Sequence, residues 1–331
     1  MPIQTGKYDG FSSYQGNYVE DEPENESAIS KYTTQLTALK NHANIASYFN
    51  MSPIGDSSFW TKTAYEKYLK AALDTGAESL SYDMYLRGKY QPIVGSEIKT
   101  TDFYENLDVA RSLSAKASKP FQAFVQTGAN WIDTSFDEVN PSNRLTIQEM
   151  YLEANAALAM GAKGINYFTL VESTTQVDKG DNDSGLITIA GAANHNEGGN
   201  YDYYNAAKKI NTFIAAVDEV LMNATNQGVI SDKSTVTSNV TCERPNYGAV
   251  QSINGREYMI GCFDYYGKDA YLIVNITPDK GGSGSSQNIT LNFDGTYSYT
   301  ATDMTCTKTT TSGQSASFAV GAGEAVLVVV E

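Results

Sequence analysis

The feature that most constrains this chain of 331 residues is a change of hydrophobic period part-way along it. Up to about residue 228, short apolar runs alternate five times with helix-period patterns. The runs are Gly16–Glu22, Ile45–Asn50, Ser79–Asp83, Pro120–Gln126 and Gly164–Leu170. After the first come Ile29, Tyr32, Thr33, Leu36 and Leu39, spaced for one helix face. After the second come Tyr65, Tyr68, Leu69, Ala72 and Leu73, closed by Gly76, and after the third Leu107, Ala110, Leu113 and Ala117. The fourth is followed by the capping box Thr146-Ile147-Gln148-Glu149, in a helix that Gly161 ends. The fifth is followed by a long polar loop and then by Tyr204, Ala207, Ile210, Ile214, Val217 and Leu221.

Five strand-then-helix units of similar length imply parallel strands joined by right-handed crossovers. A doubly wound open sheet competes with a barrel, but no Gly-rich phosphate loop follows the first strand. Polar groups stand instead at successive strand ends: Glu22, Asn50, Asp83, Gln126 and the stretch before Glu172. Side chains so placed share one site at the C-terminal face of an α/β barrel. The first strand ends on Asp21-Glu22-Pro23, and Pro23 is expected to stop it with Glu22 extended.

From about residue 232 the period becomes two, as in Ile289, Leu291, Phe293 and the run Ala325–Val330. Turn signals at Asn254-Gly255, Gly281-Gly282-Ser283-Gly284 and Asp294-Gly295 divide the strands. The expected fold is therefore α/β: a partial (β/α)-barrel of about five parallel units over residues 1–230, then an all-β sandwich domain over 231–331. The polar residues from Gln227 to Ser234 read as a short connector, so the β domain is expected to pack against the barrel rather than swing free.

Charge narrows the partners. The formal net charge is −15 and no Lys/Arg cluster offsets it, which argues against nucleic acid. The 23 tyrosines, with abundant Asn, Thr and Ser, suit neutral, hydroxyl-rich ligands and the surface of a secreted bacterial protein. No apolar run approaches the roughly 18 residues of a membrane span. The first residues carry no basic and apolar export signal. Cys242, Cys262 and Cys306 allow one disulfide with a thiol left over, or three free thiols.

The first 228 residues resemble the C-terminal part, strands four to eight, of a (β/α)8-barrel glycoside hydrolase of the superfamily that includes family 42 β-galactosidases. The resemblance is carried by Asn17–Pro23, Ser81-Tyr82-Asp83-Met84-Tyr85, Asn130-Trp131 after a strand, and Ala159–Phe168. Gly323-Glu324-Ala325-Val326-Leu327 resembles the last strand of the small sandwich that ends many such enzymes. In that superfamily an Asn-Glu-Pro motif ends the fourth strand, and its Glu is the acid/base. Asp21-Glu22-Pro23 looks like this motif with Asp for Asn. The family nucleophile is a Glu at the tip of the seventh strand, where this chain reads Phe124-Val125-Gln126-Thr127-Gly128. Strands one to three have no counterpart, whereas a whole barrel takes about 250 residues. Open sheet edges and a tendency to self-associate are expected from this. The resemblance implies an oligo- or polysaccharide partner, no cofactor, and an extracellular or cell-surface location.

Glycoside hydrolysis uses two carboxyl groups flanking the scissile bond, one kept protonated. Glu22 is the expected acid, with Asp21 beside it raising its proton affinity. The second carboxyl is Asp83, at a neighbouring strand tip, or Glu172, or Asp21 itself if an acetamido sugar supplies the nucleophile. Asp21, Asn50, Tyr82, Tyr85, Gln126, Trp131 and Glu172 are the expected substrate-binding residues. Trp131, and more weakly Tyr82, Tyr85 and Trp60, offer faces on which a sugar can stack. His42 and His195 read as surface residues. The run Asp178–Gly185 lacks the Glu a calcium loop needs at its twelfth position. The competing reading is a glycan-binding or structural module on the same fold without a working nucleophile.

Overall fold

A computed structural model describes residues 16–39, 46–53, 61–86, 100–127, 145–168, 170–171, 185–187, 191, 193, 202–280 and 283–331. They form two compact units. The first runs to Met84 and takes in Asn106–Phe124 and Ala162–Asn166; the second comprises Tyr85–Glu105, Val125–Gly161 and Tyr167–Glu331.

The α/β part follows the expected alternation. Strands β1 (Gly16–Asp21), β2 (Ala46–Met51), β3 (Ser79–Tyr82), β4 (Phe121–Gln126) and β5 (Gly164–Phe168) form one sheet in sequential order. The β1–β2, β2–β3 and β3–β4 pairs are parallel. Every residue of β3 is buried, as a parallel strand covered on both faces requires. The helices are α1 (Glu26–Ser30), α2 (Thr33–Leu39), α3 (Lys62–Asp74), α4 (Thr100–Ala117), α5 (Ile147–Ala159) and α6 (Tyr203–Asn223). The pattern after β1, read as one helix, breaks at Lys31-Tyr32 into α1 and α2. There the Tyr32 hydroxyl donates to Glu20 on β1, and its ring meets Phe49 edge-on.

Local signals explain where helices begin and end. The Thr61 hydroxyl accepts from the Ala64 amide at the start of α3, and Gly76 follows its end at φ 105°. The buried face is the expected one: Tyr65, Tyr68, Leu69, Ala72 and Leu73. Burying each of its leucines stabilises by about 1.5–3 kcal/mol. The capping box at Thr146 and Glu149 closes α5 at its N-terminus, and Gly161 at φ 91° follows its end. On α6 the buried tyrosine is Tyr203, whose hydroxyl donates to the Leu145 carbonyl, while Tyr204 is exposed. The fifth strand stops at Phe168, short of the expected Leu170, which is exposed.

The β part is a seven-stranded antiparallel sheet: β6 (Thr225–Ser231), β7 (Val250–Asn254), β8 (Tyr258–Tyr265), β9 (Lys268–Asn275), β10 (Gln287–Asp303), β11 (Lys308–Val320) and β12 (Ala325–Val330). Alternate residues from all seven strands converge on one core, among them Ile230, Val250, Ile260, Ile273, Leu291, Ala316 and Val328. Residues 227–231, read as part of a connector, are a strand of this sheet, and the short helix α7 (Ser234–Thr237) follows. The Asp294-Gly295 turn signal is also overruled, because β10 runs through it. Its register with β11 shifts between Asn292 and Tyr297, so the signal marks an irregularity inside one strand and does not divide two. All three cysteines are free thiols.

The second face of β8 and β9 is buried too, against α5. The alanines of α5 allow a close approach, and Gly261 on β8 completes it. A Cβ at that position would lie 2.2 Å from the Ala159 carbonyl oxygen. Asn155, buried on the same helix, donates to the Gly323 carbonyl. Gly261→Ala should therefore destabilise the chain by about 1–3 kcal/mol or more, since backbone rather than a flexible side chain must yield. Chemical denaturation of the wild type and the variant checks this.

Candidate active site

The site begins with an irregularity in β1. Tyr18 pairs with Tyr48 and Asp21 with Asn50, so β1 spends one more residue than β2 over the same span. Such a bulge re-aims the side chains beyond it. Glu22 follows at φ 41°, in the left-handed region, not extended as expected. Its amide turns inward to donate to the Asn50 carbonyl at 2.8 Å, and this bond holds a conformation that costs a non-glycine residue about 1–3 kcal/mol. Asp21 and Glu22 are both exposed at the strand end.

Asn50, buried at the end of β2, links the acids. Its side-chain amide donates to Asp21 Oδ1 at 3.0 Å, and the Ser81 hydroxyl lies 3.5 Å from its Oδ1. Asp83 is the first residue past β3. Its Oδ1 is buried without a hydrogen-bond partner among the described residues. Burial pushes the Asp83 carboxyl up to about 9, and the negative charges of Glu22 and Asp21 add to the effect. A hydrogen bond from Asn50 pulls the other way and is outweighed.

Two tyrosines of α3 complete the cluster. The Tyr68 hydroxyl accepts from the Ser52 amide at 3.3 Å, and burial pushes its pKa up to about 12, with Glu22 and Asp83 contributing. Tyr65 is fully buried, and its hydroxyl has no hydrogen-bond partner among the described residues. Burial raises its pKa first, then the neighbouring Tyr82, Tyr68 and Asp83. The sequence showed Tyr65 and Tyr68 only as apolar-face residues; nothing in their spacing distinguishes a core tyrosine from one under a carboxyl group.

A second buried carboxyl was missed altogether. Glu153 of α5 accepts from the Leu86 amide on Oε1 and the Gln126 amide on Oε2, each at 2.7 Å. Burial pushes it up to about 8 against the pull of those two amides, and Glu149 adds to the rise. It braces the chain just past β3 to the end of β4. The helix period marks this position as inward-facing but does not anticipate a carboxylate there.

The remaining expected residues divide. Tyr82 is buried in β3, beside Tyr65. Tyr85 is half-buried, with its ring 6.4 Å from that of Phe168. Gln126 ends β4 and is held through its backbone amide. Trp131, Glu172, Trp60, His42, His195 and residues 178–184 lie outside the described residues. The structure thus brings together Asp21, Glu22, Asn50 and Asp83 at the ends of β1, β2 and β3. A protonated carboxyl beside an ionised one can donate a proton and accept another in a single site.

Neither a family model nor a curated protein sequence matches the chain. Among solved structures it is similar to a glycoside hydrolase family 5 protein from Bacteroides vulgatus, at 13% identity and TM-score 0.45, over 93% of this chain and 67% of that one. It is similar also to a GH27 β-L-arabinopyranosidase from Geobacillus stearothermophilus, at 8% identity and TM-score 0.41, over 92% of this chain and 62% of that one. An endo-β-1,4-mannanase from Thermotoga petrophila aligns at 11% identity and TM-score 0.34, over 88% and 63%. These values are low and decide nothing about chemistry. No helix among the described residues is long and apolar enough to cross a membrane.

The raised Asp83 value has a consequence for stability. A carboxyl whose folded pKa is about 9 rather than the ordinary 3.8 favours the native state fully below about pH 4. That contribution is lost as pH rises towards the folded value, because the unfolded chain releases the proton first. Asp83→Asn removes the dependence. The variant should be more stable than wild type at pH 7–8, with the gap closing towards about pH 4, as thermal melts across that range will show.

Proposed function

We propose that this chain is a glycoside hydrolase acting on a neutral glycan, with Asp83 as the proton donor and Glu22 as its ionised partner. The observation that carries the reading is the half-buried Asp83, whose Oδ1 lies out of solvent beside two acids at the ends of parallel strands. This reverses the roles expected from the Asp21-Glu22-Pro23 motif. Glu22 is exposed to solvent and acts on Asp83 as a negative charge, whereas Asp83 is the group whose surroundings favour the neutral form. The motif's likeness to the strand-four signature of barrel glycosidases supports the assignment of Glu22 to the pair. The net charge of −15 favours uncharged sugars over acidic ones.

In this mechanism Asp83 gives its proton to the glycosidic oxygen as the bond to the anomeric carbon breaks. Glu22 stabilises the positive charge that develops there, by direct attack or by activating water. Asn50 holds Asp21 in place and steadies the charge distribution when Asp83 ionises. Tyr68 closes the floor of the cluster, next to both acids.

Hydrolysis of a panel of aryl glycosides tests the proposal. Glu22→Gln and Asp83→Asn should each lower kcat/KM by about 10²–10⁴-fold, the range for a lost general acid or base. A panel on which the wild type turns over nothing, while sugars still bind, would assign the fold to a non-catalytic glycan-binding module. Asp21→Asn provides a finer check. It removes one of the charges that raise Asp83, so the alkaline limb of the pH–rate profile should move to lower pH with the acid limb retained.

A further inference from the structure

The β8–β9 hairpin carries a feature that the catalytic reading does not use. Its two-residue turn is Tyr266-Gly267, with φ values of 54° and 81°. Those angles make the tight turn that matches strand twist, and its first position ordinarily takes Asn, Asp or Gly. Here it holds a tyrosine that is 72% exposed. Asp264 Oδ1 fixes the turn by accepting from the Gly267 amide at 2.7 Å. The ring of Tyr265 stands beside that of Tyr266, with centroids 4.9 Å apart and planes at 48°.

The last turn of α6 borders the pair. Tyr265 donates its hydroxyl to Glu219 Oε1 at 3.4 Å, and the Asn223 side-chain amide donates to the same oxygen at 3.3 Å. Met222, on that turn, is 57% exposed. Two tyrosine rings and a carboxylate edge thus meet at one point of the second compact unit.

We infer that Tyr265, Tyr266 and Glu219 form a binding site for a neutral polysaccharide, made of residues other than those of the Asp83 cluster. The inference rests on the glycan reading above and adds to it an anchoring function. The apolar C–H face of a pyranose packs on an exposed tyrosine ring, and its hydroxyls donate to a carboxylate such as Glu219. Glu219 and the acidic chain repel anionic sugars. A stable protein partner would need about 20–30 residues on this side, far more than the two rings and one carboxylate that meet here.

The test is retention of the full chain on cellulose, linear mannan and starch granules, with polygalacturonate as the anionic control. Tyr266→Asn removes the ring and supplies a residue the turn favours, so it should fold with an equal or higher thermal midpoint. Retention on one neutral polysaccharide that falls about tenfold in Tyr266→Asn, with aryl-glycoside hydrolysis unchanged, supports the site. Equal retention of the variant and the wild type overturns it. So does a wild type retained by none of the three, or retained best by polygalacturonate. Self-association of the wild type that Tyr266→Asn abolishes, without polysaccharide retention, assigns the patch to a protein contact and also overturns it. Hydrolysis by the wild type and its loss in Glu22→Gln judge the catalytic reading separately, whichever of these results is obtained.

Discussion

The chemistry proposed for this protein depends on one carboxyl oxygen being held out of water beside two other acids. Asp83 lies past the end of a strand whose every residue is buried, and among the described residues Asn50 is the side chain whose hydrogen bond favours its charged form. In water the three acids would all ionise. Here burial and the charges of Glu22 and Asp21 make the neutral form of Asp83 the favoured one. This arrangement opposes folding at neutral pH, and it persists because the surrounding sheet over-determines it. The bulge in β1, the left-handed Glu22 and the Glu22–Asn50 backbone bond all belong to the same local distortion.

A comparable logic governs α5, in the second unit. It packs its alanines against β8 and β9, where Gly261 leaves room for the helix backbone. The same helix carries Glu153, which receives the amides of Leu86 and Gln126. One helix therefore serves both as a wall for the antiparallel sheet and as a brace for the chain beyond two parallel strands. Its capping box fixes where that helix starts, and so where Glu153 falls.

Much of the scaffold was legible in the sequence, because it is written in periodicity. The strand ends expected at Glu22, Asn50, Asp83 and Gln126 fall within one residue of where β1 to β4 stop, and the capping box at Thr146 is found where its spacing puts it. What escaped was decided by tertiary contacts. Glu22 bends because the Asn50 carbonyl is within reach, which no local rule about a residue before proline can reveal. The Asp294-Gly295 signal marks a register shift inside β10 and no chain reversal, because the strand resumes its pairing with β11 at Tyr297. Asp83 and Glu22 were both picked out, but their relative burial was not, and burial decides which of them keeps the proton. Glu153 was invisible because period alone does not mark a carboxylate that will be buried on backbone amides.

The most direct measurement is the titration of Asp83 itself, followed through its carboxyl carbon by NMR, with Asp83→Asn used for assignment. The midpoint should lie near 9 in the wild type and fall in Asp21→Asn, where one neighbouring charge is gone. A midpoint near the ordinary aspartate value of about 4, unmoved by Asp21→Asn, would contradict the assignment of Asp83 as the proton-holding group.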